Sequence, residues 1–359
     1  MKTSEHVHES QRGVGLIEVM ISIIIGMLMV LVIFQVYEVS EGQKRTITAG
    51  SDAQQNASYG LYALGRDLSM AGNGISSSSL ALDKCVMLRP IPVVIKAGAS
   101  ARDPDEITVL YGGSSSLSTP VQFRQTSTTA DAYVVPGPVG FSSNDVIAAV
   151  QGTTCTVSTI NAAVGSVVVN PATGFATLAH TPVAGDIPAT YVAVGASLVN
   201  LGQTNAMRRV EYTVDPATRA LRTRRLLPTV DPNPVPVISE VVNLKAQYGL
   251  DIANNGVVTW QDATGAWDYA AVTAPPPPVG AGPPMATLQQ IRAVRIAIVT
   301  RSTQCDLDPA THQCMVLTPG PLKMFDDTVL WTLNADEQIY RYKVLETIVP
   351  IRNALWNAP

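Results

Sequence analysis

The stretch VGLIEVMISIIIGMLMVLVIF, residues 14–34, decides how the rest of the chain is read. It holds 21 residues and a single charge, Glu18. At about 1.5 Å rise per residue, a helix of that length spans roughly the 30 Å hydrocarbon core of a bilayer. A carboxylate inside an apolar helix costs on the order of 2.5 kcal/mol or more unless it finds a partner, so Glu18 needs a reason beyond anchoring. An ordinary secretory signal has a basic leader, an apolar run of about 7–15 residues and a small-residue cleavage site after it. This run is longer, carries the acid inside it, and has no A-x-A motif behind it.

Outward from that run, the sequence turns polar at Tyr37 through Glu38, Glu41, Lys44, Arg45, Gln54 and Gln55 while keeping a helical pattern. Ala57, Leu61, Leu64, Leu68 and Ala71 then recur at intervals of four, three, four and three, which predicts an apolar stripe seated on something. Arg66 and Asp67, within that stretch, read as a solvated or helix-capping pair as readily as a contact to another subunit. Gly72 and Gly74 are suited to end the helix. Gly26 and Gly42 leave open whether one helix runs through or melts between its halves. At 359 residues the chain has ample length for a large exported core. Charged residues make up only 14% with a net charge of −4 and no basic run, so there is no electrostatic footprint for nucleic acid.

The region after the helix predicts antiparallel sheet. Valine-rich runs at 107–111, 146–150, 156–160, 167–169 and 191–194 are separated by Ser, Gly and Thr turns. Residues 208–214 and 220–226 form a hairpin across Asp215, Pro216, Ala217 and Thr218, with arginines alternating on its wet face. A proline-rich connector at 231–236 precedes the run 238–252. The four prolines at 275–278 form a polyproline loop, and 291–300 is a strand.

The four cysteines all lie beyond the apolar run. In an exported domain they favour disulfides. Cys305 and Cys314 bracket an eight-residue loop. Cys85 and Cys155 are then the remaining pair, although four cysteines allow three pairings. His312 beside Cys314 raises zinc, but two thiolates and one imidazole leave the fourth ligand unfilled. Asp251, Asn255 and Asp262 sit at positions one, five and twelve of an EF-hand-like loop with Gly256 at position six, a weak calcium candidate beside ordinary turn chemistry. No G-x-S-x-G, P-loop or H-E-x-x-H is present, and the four histidines are scattered, so an enzyme is not expected and no cofactor is called for.

The order Arg12, Gly13, Val14, Gly15, Leu16, Ile17, Glu18 resembles the class III signal of type IV prepilins. Further along the helix, Leu64-Gly65-Arg66-Asp67-Leu68-Ser69-Met70-Ala71-Gly72 is similar to the L-x-R-D-L-R-M-A-G segment of the PilW family of minor pilins, with Ser69 in place of the arginine. Three further segments resemble that family: Gln247-Tyr248-Gly249-Leu250-Asp251, the strand from Ile291 to Ser302, and Ile351-Arg352-Asn353. No proline stands near Gln35, where major pilins usually carry one.

The resemblance implies an α+β, type IV pilin-like fold: a long N-terminal helix, half transmembrane and half amphipathic, on a large antiparallel β-rich domain. The implied division is a leader at 1–13, a membrane half at 14–36, an amphipathic half at 37–74, a variable β-rich region at 75–205 and a C-terminal β domain at 206–359. A prepilin peptidase would cut between Gly13 and Val14 and methylate the new amine. Glu18 would neutralise that amine on a neighbouring subunit. The implied role is priming or capping a pilus, in twitching motility, adhesion and DNA uptake, with other minor pilins, the major pilin and an inner-membrane assembly platform as partners. The protein would sit in the inner membrane with its C-terminal domain periplasmic, then on the pilus fibre. Two alternatives keep the same processing: a J-type minor pseudopilin of type II secretion, and a tip adhesin or binding module.

Overall fold

The computed structural model describes residues 15–73, 91–112, 119–152, 154–183, 189–204, 206–227, 231–274, 283, 285–308 and 311–352. Helix α1 runs unbroken from Leu16 to Met70, 55 residues, or roughly 80 Å at helical rise. Neither Gly26 nor Gly42 interrupts it. The last turn is closed by the Ala71 amide on the Leu68 carbonyl. Gly72 then takes a left-handed φ of 74°, and its amide bonds the Leu110 carbonyl at 2.8 Å, which fastens the end of the helix to the sheet.

The strands in chain order are β1 (Val93–Lys96), β2 (Glu106–Tyr111), β3 (Val121–Gln122), β4 (Ser127–Thr128), β5 (Tyr133–Val135), β6 (Asp145–Gln151) and β7 (Thr154–Ile160). They continue as β8 (Val167–Val169), β9 (Ala176–Leu178), β10 (His180–Pro182), β11 (Thr190–Tyr191), β12 (Ser197–Gln203), β13 (Arg208–Asp215) and β14 (Ala220–Leu227). The last are β15 (Val235–Ile238), β16 (Val241–Leu250), β17 (Thr259–Asp262), β18 (Ile291–Arg301), β19 (Leu322–Met324), β20 (Thr328–Trp331) and β21 (Tyr342–Pro350).

Two antiparallel sheets hold the helix. One has the order β1-β2-β13-β14-β15, the other β17-β16-β18-β21. Between them Leu64, Leu68 and Ala71 share a core with Ile107, Tyr212, Leu221, Leu244, Ile296 and Ile298. The alternation in β13, where Val210, Tyr212 and Val214 are buried and their neighbours half-exposed, is the period-two signature of a sheet with one wet face. On that wet face the arginines are paired: Arg224 with Glu211 and Arg222 with Asp215, both at 2.6 Å, and Arg219 with Glu240 at 3.0 Å.

Residues 119–204 form a second unit with its own core of Phe123, Tyr133, Ile147, Leu178, Tyr191 and Leu198. Its main sheet has the order β10-β7-β6-β12-β3. His180 stacks on Tyr133 at 3.7 Å between centroids and donates from Nε2 to the Asp131 carbonyl. The unit meets the rest of the molecule through Leu110, Val146, Val199 and Met207.

Two local expectations are corrected. Of the run 191–194 only Tyr191 is in a strand; the rest is a turn through Gly195, where the side chain of Gln151 accepts from the Val192 amide and donates to the Val194 carbonyl, replacing ladder bonds. The proline-rich connector contains a strand after all, β15, in which Pro236 is tolerated because the strand lies at a sheet edge. The prolines at 275–278 lie outside the described residues.

Candidate assembly site

Of the residues expected to carry function, Glu18 lies on α1, whereas Cys155, Cys305, Cys314, Asp251, Asn255 and Asp262 lie in the β domain. At the N-terminal end Gly15 takes an extended conformation and the helix begins at Leu16, with Glu18 in its first turn. Gly13 and Val14 lie outside the described residues. From Leu16 to Glu38 every residue is exposed in the isolated chain, and the most apolar 18-residue window has a mean hydropathy of 2.9. Such a surface is stable only in lipid or against other apolar helices.

From Ala53 onward one stripe of the helix is inside the protein. Ala53, Ala57, Leu64, Leu68 and Ala71 are buried, with Leu61 packed at the margin. Small residues bring the helix close to the sheet: a Cβ on Gly60 would stand 2.5 Å from the Ile238 Cδ1 and 3.1 Å from that of Ile298. Three hydrogen bonds fix the register. Thr300 Oγ1 donates to the Ala53 carbonyl at 2.9 Å, Asn56 to the Ser239 carbonyl at 3.4 Å, and Tyr212 Oη to the Asp67 carboxylate at 2.8 Å. Arg66 and Asp67 stay ion-paired at 3.3 Å but differ in setting: Arg66 is exposed, whereas Asp67 is buried at 4% exposure and serves the seat of the helix. Burial, reinforced by the Asp67 charge, raises the Tyr212 phenol well above its ordinary pKa.

A second clamp went unread in the sequence. The Lys245 ammonium, on β16, donates to the Asp105 carboxylate at 2.8 Å and the Asp103 carbonyl at 2.7 Å, and the Lys245 and Asp105 side chains are both nearly buried. The remaining Asp105 oxygen accepts from the Ala246 amide. This ties the loop between β1 and β2 to the other sheet. No local pattern marks the two residues, which are far apart in sequence.

Cys305 and Cys314 form a disulfide with a Cα–Cα distance of 5.5 Å. Both sulfurs are thus unavailable as zinc thiolates, and His312 is exposed in the loop. Cys155 is disulfide-bonded and buried; Cys85 lies outside the described residues. The three calcium candidates do not converge. Asp251 uses its two carboxylate oxygens on the amides of Asn255 and Gly256, both at 3.0 Å. Asp262 sits at the far end of the β16–β17 hairpin opposite Gln247, to which it is hydrogen-bonded. Among the described residues no group of three or more His, Cys, Asp or Glu is placed to hold a metal ion.

The molecule is thus of the helix-anchored class: one apolar helix projecting from an antiparallel β domain that grips its C-terminal half. Residues 203–353, somewhat under half of the chain, match the family described as Type IV Pilus-assembly protein W. No curated protein matches it. Among solved structures it is similar to a type IV-like pilin from Thermus thermophilus, at 15% identity and a TM-score of 0.25, over 59% of this chain and 86% of that one.

Proposed function

We propose that the chain is a minor pilin that enters the filament through α1. In this reading it is inserted in the inner membrane with the β domain outside, cut between Gly13 and Val14 by a prepilin peptidase, and drawn into a complex with other minor pilins and the major pilin by a membrane platform. The observation that carries it is the division of α1: residues 16–38 present an exposed apolar surface, while a stripe along 53–71 is locked into the domain. The projecting half is what a neighbouring helix can bury. Glu18 then meets the free amine of a neighbour, and a buried-charge cost in one chain becomes an attraction between two.

The test is Glu18→Ala in cells that build the filament. Processing after Gly13 should persist while the chain accumulates in the membrane and is depleted from sheared filaments. Normal incorporation would remove the docking role of Glu18. A second reading, a tip adhesin, is favoured by one feature: the unit at 119–204 has its own core and joins the domain beside the C-terminal end of α1, away from the apolar half. Loss of surface attachment on deleting 119–204, with filament number unchanged, would support it.

A further inference from the structure

Most sheet edges among the described residues are short or blocked. β15 has four residues, Pro236 among them, and an irregular register. β1 has four, and its Ile95 amide is capped by the Tyr248 hydroxyl at 2.6 Å. β17 has four residues, β10 has three with Pro182 at its end, and β3 has two. These are the usual devices against edge-to-edge pairing.

β21 is different. It is an edge strand of nine residues, paired with β18 from Tyr342 to Pro350 without a bulge. The Ile351 amide bonds the Arg292 carbonyl, so Arg292, Val294, Ile296, Ile298 and Thr300 turn their backbone groups toward β21. By register their hydrogen-bonded partners on β21 are Lys343, Leu345, Thr347 and Val349. The alternate residues Val344, Glu346 and Ile348 therefore aim N–H and C=O outward. Those groups have no hydrogen-bond partner among the described residues. Pro350, with no N–H to offer, falls in the outward set, as a proline at an edge must. Ile348 is 58% exposed beside this edge. On the inner face, α1 passes β21 at Gly65, where an added Cβ would stand 3.7 Å from Val349, an ordinary contact distance.

We infer that β21 is a docking edge for a β-strand supplied by a different pilin-class subunit, which would extend the sheet β17-β16-β18-β21 by one strand. This rests on the pilus reading above. A row of backbone donors and acceptors at strand spacing is complementary to an extended peptide backbone. A second copy of this chain fits poorly. β18 runs against α1, since Thr300 meets Ala53 and Ile298 meets Gly60, so β21 runs with it. Two copies pairing these edges antiparallel would point their helices in opposite directions, which a shared membrane does not allow. The register centred on the strand would also set Glu346 against Glu346. The incoming strand carries an apolar side chain beside Ile348, a small one beside Gly65, and an acid opposite Lys343.

The experiment places a benzophenone photo-crosslinking amino acid at Lys343 of the full-length chain, in cells that build the filament. It is run in the wild-type background, in Ile348→Pro and in Ile348→Thr. Proline at 348 deletes one outward N–H without touching the β18 ladder; threonine keeps that N–H and controls for the side chain. The expected result is an adduct to another pilin-class subunit, reduced about fivefold or more by proline and less than about twofold by threonine. Adducts only to a second copy, or to residues 74–90 or 275–282 of the same chain, would overturn the inference. So would no adduct in filaments that contain the chain. Absence of the unlabelled wild-type chain from sheared filaments would instead count against the pilus reading, and an adduct to another subunit in the membrane fraction would still support the edge.

Discussion

The phenol of Tyr212, on β13, donates to the carboxylate of Asp67, on α1, at 2.8 Å, and both residues are buried. Their separation is 145 residues. One bond thus connects the last turns of the helix to the centre of the sheet that carries it. Tyr212→Phe removes the donor and leaves a buried carboxylate held by Arg66 alone, so it should destabilise the β domain by about 1–3 kcal/mol. Urea unfolding followed by tryptophan fluorescence measures this, and an unchanged midpoint would show that the bond does not hold the seat.

The same phenol sets an alkaline limit. Its pKa is raised in the folded state, mainly by burial, so the folded protein holds its proton more tightly than the unfolded chain, where tyrosine titrates near 10. Its contribution is fully present below about pH 10 and is lost as pH rises beyond that. The urea midpoint should fall between about pH 9 and 11, and the fall should be smaller in Tyr212→Phe.

His180 gives the opposite sign. Burial lowers its pKa from the ordinary 6.5, so the folded state favours the neutral ring. Stability from this group is present above about pH 6.5 and is lost as pH falls through that value toward the lowered one. Thermal unfolding of the wild-type chain should therefore shift downward from about pH 7.5 to about pH 5, with His180→Gln showing a smaller shift.

The Cys305–Cys314 disulfide closes a short loop at the margin of the sheet. Replacing both cysteines by serine should lower stability by roughly 2–3 kcal/mol while leaving the sheet intact by circular dichroism. The loop contains Asp306, which is paired with Arg341 just before β21. Hydrogen exchange should consequently rise in 303–316 and around 341 and stay unchanged in β16.

What could be read from the sequence was local and periodic. The stripe from Ala57 to Ala71 was legible because a helix returns every 3.6 residues. The hairpin around Asp215–Thr218 was legible because its turn is written in the residues: Asp215 accepts from the Ala217 amide and the Thr218 hydroxyl. Pairing between distant strands was not. β2 pairs with β13 about a hundred residues on, and nothing in either run names the other. A charged pair on a helix is usually wet, so Arg66 and Asp67 read as solvated or subunit-facing; only the buried Tyr212 hydroxyl against Asp67 shows otherwise. The spacing of Asp251, Asn255 and Asp262 fits a cation loop by position, yet it belongs to a hairpin whose first acid is saturated by backbone amides. Spacing records positions along the chain, whereas a metal site needs lone pairs that converge.

In the proposed assembly route the chain is cut after Gly13 and carried into a filament by α1. Mass spectrometry of filaments sheared from producing cells tests it most directly. The expected N-terminal peptide begins at Val14 and carries a methylated amine. A chain confined to the membrane fraction with an intact Met1 end would contradict it.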